Sequence, residues 1–173
     1  MVLLKIFVVG LLLTVLIQDI TSRSVSWPVF PFIALCGLTL QWLLSYPLSD
    51  TLRLTAFNLL FLMLQFLGIR LYFLITRGQK AKVVDKMIGW GDILFLISVA
   101  FFLPVTTFIA FYILSLLLVL TGWLLYLQII RSANRHIPLA GLQALIFILF
   151  LAGDWLFGRY DIYDDQLFTF LTR

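Results

Sequence analysis

Between Gly91 and Ile130 the chain carries a single charged residue, Asp92, and the only interruption of this apolar stretch is Leu103-Pro104-Val105-Thr106-Thr107. One bilayer crossing uses about 20 residues, so the stretch is twice too long for a single helix. Proline lacks the N–H that a helix interior needs, and the run is expected to divide there into two helices joined by a tight hairpin. Comparable apolar runs lie at 2–20, 29–47, 52–76 and 137–157, and with 84–104 and 106–130 they make six. None shows the strict alternation of a β-barrel strand. The expected fold is therefore all-α, a polytopic integral membrane protein of six transmembrane helices. Of the 173 residues, 63% are hydrophobic and 12% charged, whereas a soluble domain is about 25% charged and lacks so much apolar material. The helical part is expected over residues 1–158, with 159–173 a short polar tail. Lys5 precedes the first run as in a signal peptide, but no small-x-small cleavage site follows Gln18, which favours a retained helix.

The charges report orientation. The gaps after the first, third and fifth runs hold Arg23, then Arg77, Lys80, Lys82 and Lys86, then Arg131 and Arg135, against one acid, Asp85. The opposite side holds Lys5, Arg53, Arg159 and Arg173 against Asp50, Asp154, Asp161, Asp164 and Asp165. By the positive-inside rule the first side is cytoplasmic and both termini are extracytoplasmic. A pI near 9.5 is thereby explained without a nucleic-acid partner, because the basic residues fall where topology puts them. The cluster Arg77, Lys80, Lys82 and Lys86 is expected to attract anionic lipid headgroups. The single cysteine, Cys36, excludes an internal disulfide and any Cys-based zinc site, and no cofactor or metal is expected.

Three charges remain, Asp19, Arg70 and Asp92, all within or at the ends of apolar runs. A carboxylate in or near hydrocarbon costs about 3 kcal/mol on insertion scales, so such a residue is a functional hypothesis by default. Counting crossings brings Asp19 and Asp92 to the same membrane face at similar depth. Two carboxyls a few ångströms apart cannot both ionise easily; one keeps its proton while the other acts as general base on a shared water, and the protons belong to the pair. That is the arrangement of an aspartic protease. Against it stands an interfacial reading, in which Asp19 merely ends one helix and Asp92 caps another. Gly89-Trp90-Gly91 ahead of Asp92 favours the first, since glycines permit close approach of backbone or substrate to the carboxyl.

Three stretches in chain order carry a resemblance: Asp19-Ile20-Thr21-Ser22-Arg23-Ser24-Val25-Ser26-Trp27-Pro28, Gly89-Trp90-Gly91-Asp92 and Ile137-Pro138-Leu139-Ala140-Gly141. Together they resemble the GxGD intramembrane aspartyl proteases, specifically the type IV prepilin and preflagellin leader peptidases. The resemblance implies Asp19 and Asp92 as catalytic residues, Gly89, Trp90, Gly91, Ile137 and Pro138 as the backbone and packing around them, and a pilin-like precursor with a short basic leader as substrate and partner. It implies a multi-pass enzyme of the cytoplasmic membrane that cuts at its cytoplasmic face and serves a type IV pilus or related secretion system. Relatives carry a Lys two residues after the second Asp, where this chain has Leu94, and Ile-Pro before an Asn-Trp-like pair, where it has Val25-Ser26-Trp27-Pro28. With Cys36 alone it looks like the short form without the Cys-rich methylation region. Presenilin-like proteases have Tyr-Asp and Pro-Ala-Leu motifs; here Gln18 precedes Asp19 and no Pro-Ala-Leu occurs.

The rival from another class is a non-catalytic scaffold, channel or assembly factor, with Asp19 and Asp92 in a structural charge network that includes Arg70. Snorkelling to the interface also accounts for Arg70. Asn58 and Gln65, seven apart, share a helix face and are expected to bond neighbouring helices. Trp27, Trp42, Trp90 and Trp155 read as interfacial anchors, and His136, alone, as an interfacial residue.

Overall fold

A computed structural model describes residues 1–77, 89–129 and 137–157. Within them all regular structure is helical: α1 (Val2–Ser22), α2 (Val29–Leu43), α3 (Leu48–Arg77), α4 (Trp90–Val99), α5 (Val105–Ile129) and α6 (Leu139–Phe157). The expected break around Pro104 is present. Three helices, spanning Val2–Ser22, Leu48–Thr76 and Val105–Gln128, are long and apolar enough to cross a membrane; α2, α4 and α6 are apolar but shorter. The surface is correspondingly oily. Leu3 is 84% exposed and Ile75 83%, and exposed Leu, Ile and Phe recur along α1, α3 and α5, as expected of lipid-facing helices.

Several boundaries differ from the apolar runs. Helix α2 stops at Leu43 because Ser45 takes a left-handed backbone, φ 66°, and Pro47 follows. The Pro47 carbonyl then accepts from the N–H groups of Asp50 and Thr51, both at 3.1 Å, so Leu48–Asp50, expected as a gap, form the first turn of α3. Helix α4 has ten residues and, at 1.5 Å per residue, rises about 15 Å, half the hydrocarbon thickness. Residues 84–88 of the fourth apolar run lie outside the described residues, as do Lys80, Lys82, Asp85, Lys86, Arg131, Arg135, His136 and the 159–173 tail.

Helices α1, α2, α4 and α6 close into a four-membered ring, in which α1 packs most extensively on α6, α2 on α4 and α1 on α2. The α3/α5 pair lies against this ring, α5 touching α6 and α3 touching α2. Phe147 of α6 is the hub of the core: Phe95, Phe102 and Phe111 surround it edge to face with centroids 6.5, 5.4 and 5.2 Å away, a geometry that sets a ring's positive edge on its neighbour's negative face. Helices α1 and α6 run antiparallel. At one end Lys5 Nζ stands 4.9 Å from the centre of the Trp155 ring, and at the other Asp19 meets the start of α6.

The α4–α5 turn is sunk into this bundle, with Ala100, Phe102 and Leu103 all essentially buried. Backbone that leaves a helix at such depth must find its hydrogen bonds within the protein. Asn58 of α3, fully buried, donates through Nδ2 to the carbonyls of Ala100 (3.0 Å) and Leu103 (2.8 Å), and Gln41 of α2 donates through Nε2 to that of Phe101 (2.9 Å). Close approach of α2 to the turn requires Gly37: a Cβ there would stand 2.7 Å from the Phe102 ring and 2.9 Å from the Phe101 carbonyl oxygen. Asn58 thus bonds as the sequence suggests, whereas Gln65 of the same face is exposed. The buried face of α3 is set by Thr51, Thr55, Asn58 and Leu62, which cover only its first half.

Candidate active site

Asp19 lies in the last turn of α1 and is 8% exposed, unusually low for a carboxylate. Its burial follows from the tight packing of α1 on α6. Asp19 Oδ2 accepts the backbone N–H of Gly141 at 2.6 Å, a short charge-assisted bond across 122 residues of sequence. A side chain at position 141 would be tight: a Cβ would lie 3.0 Å from Asp19 Cβ, 3.2 Å from its Oδ2 and 3.3 Å from the Leu16 carbonyl, so these neighbours would have to give by a few tenths of an ångström.

Asp92 is the third residue of α4, half-buried. Its Oδ2 accepts the N–H of Gly89 at 3.2 Å, while the Gly89 carbonyl accepts from the Asp92 N–H at 3.1 Å. The capping role foreseen for Asp92 is therefore real, and it is not the whole of its surroundings. The backbone N–H of Ala140 and the carboxylate of Asp19 both lie within electrostatic range of the Asp92 carboxylate. Both carboxylates thus lie at the first turn of α6. That turn has free donors to offer: the first i to i−4 bond of α6 runs from the Leu142 N–H to the Pro138 carbonyl, at 3.1 Å, leaving the amides of Ala140 and Gly141 without intrahelical partners.

The remaining expected residues surround this pair unequally. Gly89 approaches closely, with its Cβ position 3.1 Å from Asp92 Oδ2, whereas the Cβ position of Gly91 meets only Val25 Cγ2 at 3.9 Å, an ordinary contact. Trp90 and Trp27 are exposed, 61% and 70%, and Ile137 is 38% exposed, so the segments that carry the pair also bear exposed apolar side chains. Pro138 opens α6. The α1–α2 loop is tied down by a bond the motif reading passed over: the Ser26 N–H donates to Gln18 Oε1 at 2.8 Å. Arg23, in a left-handed turn at φ 52°, is the cation within electrostatic range of Asp19. Arg70 is exposed on α3, whose main packing is on α5 and α2.

Ala140 and Gly141 are the residues that sequence reasoning missed as part of the site. They act through backbone N–H groups, which leave no side-chain signature, though two small residues just after Pro138 at a helix start are a usable signal. Among the described residues, no group of three or more His, Cys, Asp or Glu side chains gathers to hold a metal ion. Chemically, two carboxylates brought together at the first turn of a helix can share a proton and orient a water molecule between them. No protein-family model, curated protein or solved structure matches the chain.

Proposed function

We propose that this chain is a membrane-embedded aspartic endopeptidase of the prepilin leader peptidase kind, with Asp19 and Asp92 as the catalytic dyad. The observation that carries the reading is that these two aspartates, 73 positions apart in the sequence, lie within electrostatic range of each other at the start of α6, where the Gly141 amide holds Asp19. A scaffold in which Arg70 pairs with the carboxylates is disfavoured by the exposure of Arg70 on α3.

In the proposed topology the chain crosses the bilayer six times, with both termini extracytoplasmic and the dyad towards the cytoplasmic face. The apolar helix of a pilin-like precursor lies in the bilayer beside the enzyme, and its short basic leader unwinds beside Trp27, Trp90 and Ile137. The ionised carboxylate of the pair takes a proton from water as its oxygen attacks the scissile carbonyl; the protonated partner donates to that carbonyl. Collapse of the tetrahedral intermediate breaks the C–N bond, and the departing amine leaves with a proton from the dyad. Neither carboxylate is assigned a fixed role, because the protons belong to the pair. The partners are the precursor and the surrounding lipid, with anionic headgroups at the basic cytoplasmic loops; no nucleic acid is involved.

Co-expression with candidate pilin-like precursors tests this directly. Wild-type protein is expected to shorten a precursor by its leader, and Asp19→Asn and Asp92→Asn each to leave it full length while the enzyme remains in the membrane. Leader removal that persists in either variant would sink the dyad.

A further inference from the structure

Catalytic carboxylates need something to fix their separation, and here the fixing groups are not side chains. Among the described neighbours of Asp19 and Asp92, the contacts that cross between helices run to the first turn of α6. Gly141 gives its N–H to Asp19 at 2.6 Å, and the N–H of Ala140 lies within electrostatic range of Asp92. Both donors are free because they precede the first intrahelical bond of α6, whose N-terminal dipole also favours negative charge. The turn is held rigidly. Ala140 is 1% exposed, Gln143 one turn further on is fully buried with Nε2 on Ser115 Oγ at 3.2 Å, and Phe147 anchors the helix in the aromatic core. A Cβ at Gly141 would press on Asp19 at 3.0–3.2 Å, so a substituted residue there would push the carboxylate away from the amide by a few tenths of an ångström.

We infer that the Ala140-Gly141 segment is the positioning element of the dyad, each backbone N–H holding one carboxylate so that the pair keeps a fixed separation and a fixed set of free oxygen atoms for chemistry. The inference rests on the aspartic protease reading for its catalytic meaning, but the anchoring itself is a property of the resting protein. Glycine at 141 keeps the amide and the carboxylate at their close approach, which a Cβ would disturb. At 140 the requirement is for an N–H, and proline is tolerated in the first turn of a helix, so Ala140→Pro deletes the donor without deleting an intrahelical bond.

The test uses the full chain reconstituted in liposomes with a pilin-like precursor, and compares wild type with Gly141→Ala, Ala140→Pro and Gly153→Ala. Gly153 lies on the same helix with nothing within 4 Å of its Cβ position and serves as the control. Two quantities are read: kcat and KM for leader removal, and the rate at which a hydrophobic carbodiimide labels each aspartate, resolved by mass spectrometry. Misplacing a catalytic group by an ångström costs on the order of 100-fold in rate, so Gly141→Ala and Ala140→Pro are each expected to lower kcat by at least about tenfold with KM little changed. Labelling is expected to be selective. Gly141→Ala raises the rate at Asp19 severalfold and spares Asp92, Ala140→Pro does the reverse, and Gly153→Ala matches wild type throughout. An equal rise at both carboxyls in either variant would mean general loosening of the bundle and would overturn the positioning role, as would labelling indistinguishable from wild type. If wild type cuts no precursor yet the crossed labelling pattern appears, the protease reading falls and the anchoring stands; if wild type cuts and the pattern is missing, the anchoring falls alone.

Discussion

At its N-terminal end α4 presents the carboxylate of Asp92 to the backbone N–H of Gly89, with the start of α6 in electrostatic range; at its C-terminal end the carbonyls of Ala100, Phe101 and Leu103 receive the amide side chains of Asn58 and Gln41. Both ends are places where helical hydrogen bonding stops inside a hydrocarbon-facing bundle, and both are approached by groups from other helices. The chemistry differs. Neutral amides on neutral carbonyls make a closed structural joint with no proton to exchange. Carboxylates on N–H groups, next to a second carboxylate, leave oxygen atoms with titratable character. The same requirement, that no backbone polar group go unpaired at depth, is met by a strut at one end and, at the other, by the pair proposed as reactive.

The comparison is broken most severely at the reactive end. Asp92→Asn and Asp19→Asn keep the shape of the side chain and remove acid–base capacity, so leader cleavage is expected to fall by about 10²–10⁴-fold or more, with detergent-resistant fold and membrane yield retained. A variant that unfolds instead of losing activity would show that the N-terminal end is also mainly a joint. At the structural end the largest effect is expected from Gly37→Ala. Its new methyl group meets both the Phe102 ring and the Phe101 carbonyl oxygen, and the backbone oxygen cannot rotate away, so overpacking is expected to cost about 2–3 kcal/mol in a denaturant titration in mixed micelles. Asn58→Leu comes next. It leaves two buried carbonyls without donors for a cost of about 2 kcal/mol, while cleavage per folded molecule stays near wild type. Activity lost in proportion beyond stability would show that the two ends are coupled through the ten residues of α4.

How far these features can be read from the sequence depends on what kind of group carries them. The break at Pro104 is legible because a missing N–H is a covalent property of the residue. The end of α2 is not, because hydropathy is blind to the left-handed backbone of Ser45. Asp19 and Asp92 stand out as charges within or at the ends of apolar runs, and the structure brings them within electrostatic range of each other. Their partners could not be found in that way: the N–H of Ala140 is the same group as the N–H of any other residue, and only the packing of α6 against α1 singles it out. Gly91 illustrates the converse. Its motif suggests a close approach, yet the tight contact is made by Gly89, whose position relative to the carboxylate depends on the start of α4. Asn58 and Gln65 are alike in residue class and face, and differ in burial because only the first half of α3 has neighbours on that face.

The smallest expected effect sharpens the comparison most finely. Gln41 supplies one bond to the α4–α5 turn, to the Phe101 carbonyl, and is itself 8% exposed, so the site is nearly but not wholly sealed. Gln41→Met keeps the length and bulk of the side chain and deletes the donor. If the turn is a strut completed by separate amide bonds, the loss is expected to be about 1 kcal/mol, roughly half that of Asn58→Leu, and the double variant should cost close to the sum. A double-variant cost well below the sum would mean that Asn58 and Gln41 hold one cooperative unit, since the first deletion would already have released the carbonyls that the second serves. In either case kcat should stay at its wild-type value as long as the protein is folded, because Gln41 and Asn58 touch carbonyls at the end of α4 remote from Asp92, and a neutral joint there has no proton to give to the reaction.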